Sequence, residues 1–314
     1  MSARRIARNW PLVSGLCLIG VMLSLALGAP WMDIPDPMAQ TRFVRDETGY
    51  HWKPFEPGEV RGFPLGTDFD GRDVRSRLIW GLRPTLLLAL SVALIRIALA
   101  ASVGILAGWD SGSKGRLAGG LIHLSNMVPL LVVAIVLLYL VGGGMRAGDM
   151  ILALSVTGWS GAARLVAARV RGLRHVGYIE AARALGAGPG FILRKHVIPA
   201  LTGLLPVLAA FEMAAALLLL GELGFLGFYL GGGTIRGVAR TDTAGSWLVR
   251  IPGQPELGQM LSVGWENFFQ SKWLSLWAGL AFGVSVAAFL LLGEGLRRAW
   301  EARARRRVGA RAHR

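Results

Sequence analysis

A chain of 314 residues that is 53% hydrophobic and only 17% charged is too apolar for an ordinary soluble protein of its size and belongs in a membrane. Its formal charge of +15 raises nucleic acid as a partner, but eight of the 34 basic residues fall in the last 19 and most others flank apolar runs, a pattern of membrane topology rather than of a DNA-binding face. A single cysteine, Cys17, excludes an intramolecular disulfide and a zinc finger, and histidines at 51, 123, 175, 196 and 313 are too dispersed for a metal cluster.

In chain order, residues 1–10 carry Arg4, Arg5 and Arg8 and no acid. The apolar run from Pro11 to about Ala29 predicts a first span over 11–30, long enough as a helix for about 30 Å of hydrocarbon. A positive start followed by LALGA also has the form of a cleavable secretory signal, yet the run exceeds a usual signal core. Residues 31–83 form a polar connection broken by Pro35, Pro37, Pro54, Pro57 and Pro64, with little regular structure expected before Leu65. A short amphipathic helix is expected after it. Thr67 or Asp68 caps it, Asp73 and Arg77 pair at i,i+4, Val74, Leu78 and Trp80 share one side, and it lies on the bilayer surface.

The core is placed at 84–296. A second span runs from about Pro84 to Gly108 with Arg96 near its centre, where a charge must face protein or a watery path. Both a pathway role and pairing with another subunit or with Glu212 are open. The loop Gly112-Ser113-Lys114 fails as a phosphate loop, because its first glycine is one residue too close and Gly115 takes the Ser/Thr place. Gly119 to Val141 is a third span bent at Pro129, Gly142 to Asp149 a tight turn, and Met150 to Val166 a fourth span whose Ser155, Thr157 and Ser160 suit helix packing.

The stretch YIEAARALGAGPGFILRKHVIPA, Tyr178 to Ala200, interrupts the apolar pattern. Strong helix formers precede Gly186, AGPG cannot continue that helix, and a second short helix fits Phe191 to Ile198 until Pro199 closes it. Ala181, Ala182 and Ala184 give a low-profile surface ringed by Arg183, Arg194 and Lys195, a docking shape rather than a catalytic one. About Leu201 to Gly221 forms a fifth span, interrupted by Pro206 and carrying Glu212, an acid that serves either function or a buried hydrogen bond. The connection of about 222–273 contains Gly231-Gly232-Gly233 and three tryptophans, Trp247, Trp265 and Trp273, suited to interfacial anchoring. A sixth span over about Leu274 to Leu292 precedes a basic tail at 297–314.

Glu180, Ala181, Ala182, Gly186 and Pro199, with Ile198 before the proline, resemble the cytoplasmic EAA coupling loop of membrane subunits of ATP-binding-cassette importers, here placed at about 169–199. His196, where much of the superfamily carries isoleucine, is similar to the oligopeptide and dipeptide permease branch. Independently, LGTDFDGRDVRSRLIWGLRPTL resembles the signature ahead of the second span in those permeases, with Pro84 and Thr85 departing from it. The resemblance implies an all-α integral membrane protein with six transmembrane helices of the ABC importer permease type. It also implies a second permease subunit, two ATPase subunits that bind the ATP and magnesium, an external solute-binding protein, and peptide cargo.

By the same resemblance Glu180, Ala181, Ala182, Gly186, His196, Ile198 and Pro199 are the ATPase-coupling residues; Arg96 and Glu212 are pathway or intramembrane-pairing candidates because they are charges within apolar spans. The chain is expected to bind no cofactor, metal or nucleic acid, to contact lipid, and to be no enzyme, for it has no Walker, GxSxG or HExxH motif. With both termini cytoplasmic, the inner segments hold 19 bases against Asp110, Glu180 and Glu301, which selects this orientation in a prokaryotic inner membrane. Nickel or another small solute as cargo, and a non-transporting scaffold or sensor, are the rival readings.

Overall fold

A computed structural model of the chain describes residues 9–47, 49–141, 146–231, 234–239, 246–251 and 254–312. Arg4, Arg5, Arg8, much of the Gly142–Asp149 turn, Gly232 and Gly233, the Trp247 side chain and His313 lie outside that description. The molecule is a helical membrane bundle with two small hairpins. Four helices are long and apolar enough to cross a membrane alone, and two bent helix pairs raise the number to six when each pair is one span.

Helix α1 (Trp10–Gly28), extended by a 3₁₀ turn at Ala29–Trp31, covers the stretch expected as the first span and is long and apolar enough to cross a membrane. It lies against the last helix at backbone distance: a Cβ on Gly15 would sit 2.6 Å from the Leu292 nitrogen, and Asn9 Nδ2 donates to the Gly295 carbonyl at 2.8 Å. Residues 31–73 are more ordered than expected. Strands β1 (Phe43–Asp46) and β2 (Gly49–Trp52) pair antiparallel with Phe43 opposite Trp52. The Thr41 amide donates to the Gly71 carbonyl at 2.9 Å, which ties the hairpin to the turn before the next helix.

That helix corrects the expected amphipathic segment. Helix α2 runs unbroken from Val74 to Trp109, 36 residues or about 54 Å, through Pro84. Its cap is Asp73, whose carboxylate accepts the amides of Arg75 and Ser76 at 3.3 and 3.0 Å, so neither Thr67 nor Asp68 caps it. Because Asp73 turns back onto these amides, Arg77 pairs with Asp68 instead, and also donates to Gln259 Oε1 at 3.0 Å. Val74, Ser76 and Arg77 are fully buried in protein, so this first stretch does not lie on the bilayer.

Helices α3 (Ser113–Ser125) and α4 (Leu130–Val141) meet at 96°, a right-angle break rather than a gentle bend. Pro129 has no N–H and disfavours helical backbone at Val128, while the Asn126 side chain donates back to the Ile122 carbonyl at 2.6 Å. Helices α5 (Ala147–Val156) and α6 (Ser160–Leu173) make the second bent pair, at 45°. Next come α7 (Gly177–Ala184), α8 (Pro189–Ile192), a π turn at Leu193–Val197 and α9 (Ile198–Leu201). The helical path thus continues past Pro199 to Leu201. The wider π turn lies where the proline ring would otherwise meet the carbonyl four residues back. In α10 (Leu205–Phe225) Pro206 stands in the first turn, where its missing N–H costs nothing, so it does not interrupt the span.

Strands β3 (Thr234–Ala239) and β4 (Ser246–Ile251) form a second hairpin ahead of α11 (Leu257–Glu266). Of the tryptophans in this connection, Trp265 is exposed and packs on Phe225, but Trp273 is buried and donates through Nε1 to the Thr67 carbonyl at 2.8 Å. It fastens the first long connection rather than an interface. Glu256 caps α11 through the Gln259 amide at 3.0 Å and accepts Thr85 Oγ1 of α2 at 3.0 Å, while burial pushes its carboxyl above the usual range. The final helix α12 (Lys272–Ala312) continues through the basic tail as far as Ala312.

Two apolar clusters result. One joins α2, α5, α10, α11 and α12 around Val92, Leu154, Leu217 and Leu274. The other joins α6 to the segment after it through Val166, Val170, Ile179 and Ile192. Helices α2 and α6 meet through glycine: a Cβ on Gly104 would lie 2.7 Å from both the Ala163 oxygen and Val166 Cβ, and one on Gly108 would lie 2.6 Å from the Ala167 oxygen. A leucine there forces two backbones apart, as the small-residue packing of membrane helices requires. Gly104→Leu is therefore expected to lower stability by about 3 kcal/mol, beyond the effect of Gly104→Ala, with the melting of the detergent-solubilised protein as the measurement.

Candidate coupling segment and the buried ion pair

The segment between α6 and α10 is a docked knob. Ile179, Ile192, Val197 and Leu201 are buried against Val166, Val170 and Leu173, which fixes its inner side. Its outer side keeps Glu180, Ala181, Gly186, Ile198 and Pro199 exposed, and Ala182 and His196 half-buried. Leu185 stands 88% exposed at the tip, with exposed Tyr178 and Phe191 nearby in sequence. Among the sequence candidates, the two alanines are small enough not to screen this surface. The anchoring isoleucines were not singled out beforehand, although their apolar spacing within a polar stretch was available as a signal.

Gly186 makes the turn by conformation. Its φ is +82°, and a Cβ added there would meet nothing within 4 Å. The Gly186 amide donates to the Arg183 carbonyl at 2.9 Å and the Ala187 amide to the Ala182 carbonyl at 3.0 Å, the two bonds of a Schellman cap. Helix α7 consequently ends at a fixed point and the chain reverses into Pro189, which opens α8 at a position suited to proline. His196 rests between the rings of Tyr178 and Phe191, with centroids 5.7 and 6.3 Å away. This ties the second half of the knob to the first.

Cations brace the knob from both flanks. The Arg183 guanidinium lies over Trp109 at the end of α2, 5.3 Å from the ring centroid, and Arg169 of α6 lies over Trp300 of α12 at 5.4 Å. Beside them Arg174 donates to Ser111 Oγ at 2.6 Å. The Gly112 and Gly115 amides are taken by the carboxylate of Asp110 at 2.9 and 3.0 Å, bonds that hold its pKa below the usual range. The glycine loop thus binds its own acid. Among the described residues, no three His, Cys, Asp or Glu side chains gather as a metal site.

Arg96 and Glu212 meet inside the bundle. Arg96 is fully buried, and its Nη1 lies 3.4 Å from Glu212 Oε2 on α10. Its Nε donates to the Leu154 carbonyl at 2.9 Å, and its Nη2 lies 3.4 Å from Thr157 Oγ1. Of the roles left open by sequence, the geometry therefore supplies pairing within one chain. Leu154, Thr157 and Gly158 were not foreseen as its partners, since they gather only because the α5–α6 pair breaks there.

The family described as the binding-protein-dependent transport system inner membrane component matches residues 100–306. The chain is 32% identical over 292 residues to the di/tripeptide transport system permease protein DppC of Pseudomonas aeruginosa, covering 93% of this chain and 88% of that protein. It is 25% identical over 297 residues to the glutathione transport system permease protein GsiD of Pectobacterium atrosepticum, covering 94% and 87%. In fold it is similar to a solved structure of the MetNI methionine ABC transporter in an inward facing conformation, with TM-score 0.50, 19% identity, and 71% of this chain and 96% of that one covered.

Proposed function

The chain belongs to the family of binding-protein-dependent transport system inner membrane components, and from that premise we propose how it works as the permease subunit of an ATP-driven peptide importer. It forms half of a translocation pathway with a second permease. Two ATPase subunits sit beneath the permease pair in the cytoplasm, one of them docked on this knob, and an external binding protein delivers di- or oligopeptides. The chain itself carries out no hydrolysis.

One observation supports this reading above the others: a helix stopped by a Schellman cap at Gly186 holds Glu180, Ala181 and Leu185 outward while Ile179 is locked into the bundle. Such a surface accepts force without deforming, because its inner side is packed and its outer side is low. Glu180 contacts the ATPase, Ala181 and Ala182 permit close approach, and His196, Ile198 and Pro199 support the second half. The motion passes along α6 into α2 through the glycine seam at Gly104 and Gly108.

Co-expression with the partner subunits and reconstitution in vesicles tests the reading. ATP inside the compartment that faces the knob should drive accumulation of radiolabelled dipeptides, and none should accumulate without ATP. In Cys17→Ser cells, Leu185→Cys should react with a thiol reagent only from the cytoplasmic side. Labelling solely from outside overturns the orientation, and ATP hydrolysis with no solute movement supports a scaffold instead.

A further inference from the structure

The fourth span is interrupted at its most costly place, deep in an apolar bundle. Between α5 and α6 the helical hydrogen-bond pattern lapses, which leaves carbonyls near Leu154 without the usual amide partners. Arg96 reaches into that gap from α2: its Nε donates to the Leu154 carbonyl at 2.9 Å, which also accepts the Thr157 hydroxyl at 2.9 Å, and its two terminal nitrogens reach Thr157 and Glu212, each at 3.4 Å. Gly158, at φ +81°, passes directly over the guanidinium, so that a Cβ there would lie 2.6 Å from Arg96 Cζ. One side chain on α2 thus touches the last turn of α5, the joint that leads into α6, and α10.

We propose that Arg96 is a positioning residue for transport: its guanidinium sets the angle between α5 and α6 and links that joint to α10, so that displacement of the knob reaches both spans that flank it. The proposal rests on the permease reading above and adds a part to it. Glycine packing unites α6 with α2, so these helices move together and the joint at Thr157-Gly158 is where α5 departs from them. Glu212 orients the arginine from α10. Without a fixed joint, knob displacement would be absorbed by bending of the fourth span.

The test uses the assembled complex in nanodiscs, with Cys17→Ser and nitroxide labels at Leu152→Cys on α5 and Leu165→Cys on α6, both exposed positions. Electron double resonance measures the distance with and without ATP and vanadate. The variants are Arg96→Met and Arg96→Met/Glu212→Leu, the second leaving no unpaired charge so that assembly survives. The parent should give one narrow distance in each state, and both variants a broad distribution. Transport of a radiolabelled dipeptide per ATP hydrolysed should fall at least about fivefold at equal amounts of assembled complex, the lower end of usual coupling factors. A narrow, parent-like distance in the double variant overturns the proposal. So does an unchanged ratio of transport to hydrolysis. If the parent itself moves no dipeptide, the permease reading fails on that measurement while the distances still judge the joint.

Discussion

Gly186→Val should leave a complex that assembles and hydrolyses ATP but accumulates solute at least about tenfold more slowly than the parent. The argument is conformational, since an added Cβ has open space around it while φ of +82° is denied to a β-branched residue. A left-handed residue costs about 1–2 kcal/mol with any ordinary side chain and more with valine, enough to abandon the turn. The Arg183 and Ala182 carbonyls then lose the two amides that terminate α7, and Leu185 loses its fixed place. Each 1.4 kcal/mol of displaced equilibrium is worth about tenfold in the docked population. Gly186→Asn provides the control, because asparagine tolerates this conformation and should retain most uptake. Uptake and hydrolysis are measured on the same vesicles, normalised to assembled complex. Parent-level uptake by the valine variant would show that the turn carries no force.

The turn at Gly186 was legible because it depends on local chemistry: helix formers, then a residue free to take positive φ, then Pro189. The ends of α1 were legible for a similar reason, since an apolar run bounded by charge or proline defines them, whereas α12 runs on as helix to Ala312, past the expected end of the sixth span at Leu292, because helix-forming alanines and arginines follow it. The prolines were harder. Pro84, Pro199 and Pro206 all follow the same sequence rule, yet one sits within a long helix, one behind a π turn and one in a first turn. Their effect depends on which backbone groups already lack partners. The β1–β2 hairpin escaped notice because four-residue strands give too short a period and its stabilising bond comes from Gly71. For Arg96 the sequence supplied a charge that needed company and Glu212 as a candidate, but the Leu154 carbonyl becomes an acceptor only once the fourth span has broken. That acceptor is a product of tertiary register.

The largest stability effect is expected at Asp68. Spacing alone suggested Asp73 as the partner of Arg77, which holds only if the helix runs through both; with Asp73 at the cap, its oxygens point back at the Arg75 and Ser76 amides. Asp68 and Arg77 are both fully buried and paired, and Asp68 Oδ1 also accepts the Arg72 amide at 2.8 Å. Asp68→Ala removes the partner and leaves the guanidinium in protein with Gln259 Oε1 at 3.0 Å. Such an uncompensated buried charge costs about 3–5 kcal/mol. Exchange of both members for apolar residues, Asp68→Leu/Arg77→Met, should be far milder than Asp68→Ala, since breaking a buried pair and replacing it are opposite operations. The melting midpoint of the solubilised protein supplies the measurement, with protease cleavage in 41–73 as a local readout. Loss should spread from this point, because the same turn carries the Thr41 bond to Gly71 and the Trp273 bond to the Thr67 carbonyl. A double variant as unstable as Asp68→Ala would instead assign the stabilisation to the Arg72 amide bond, which both changes remove.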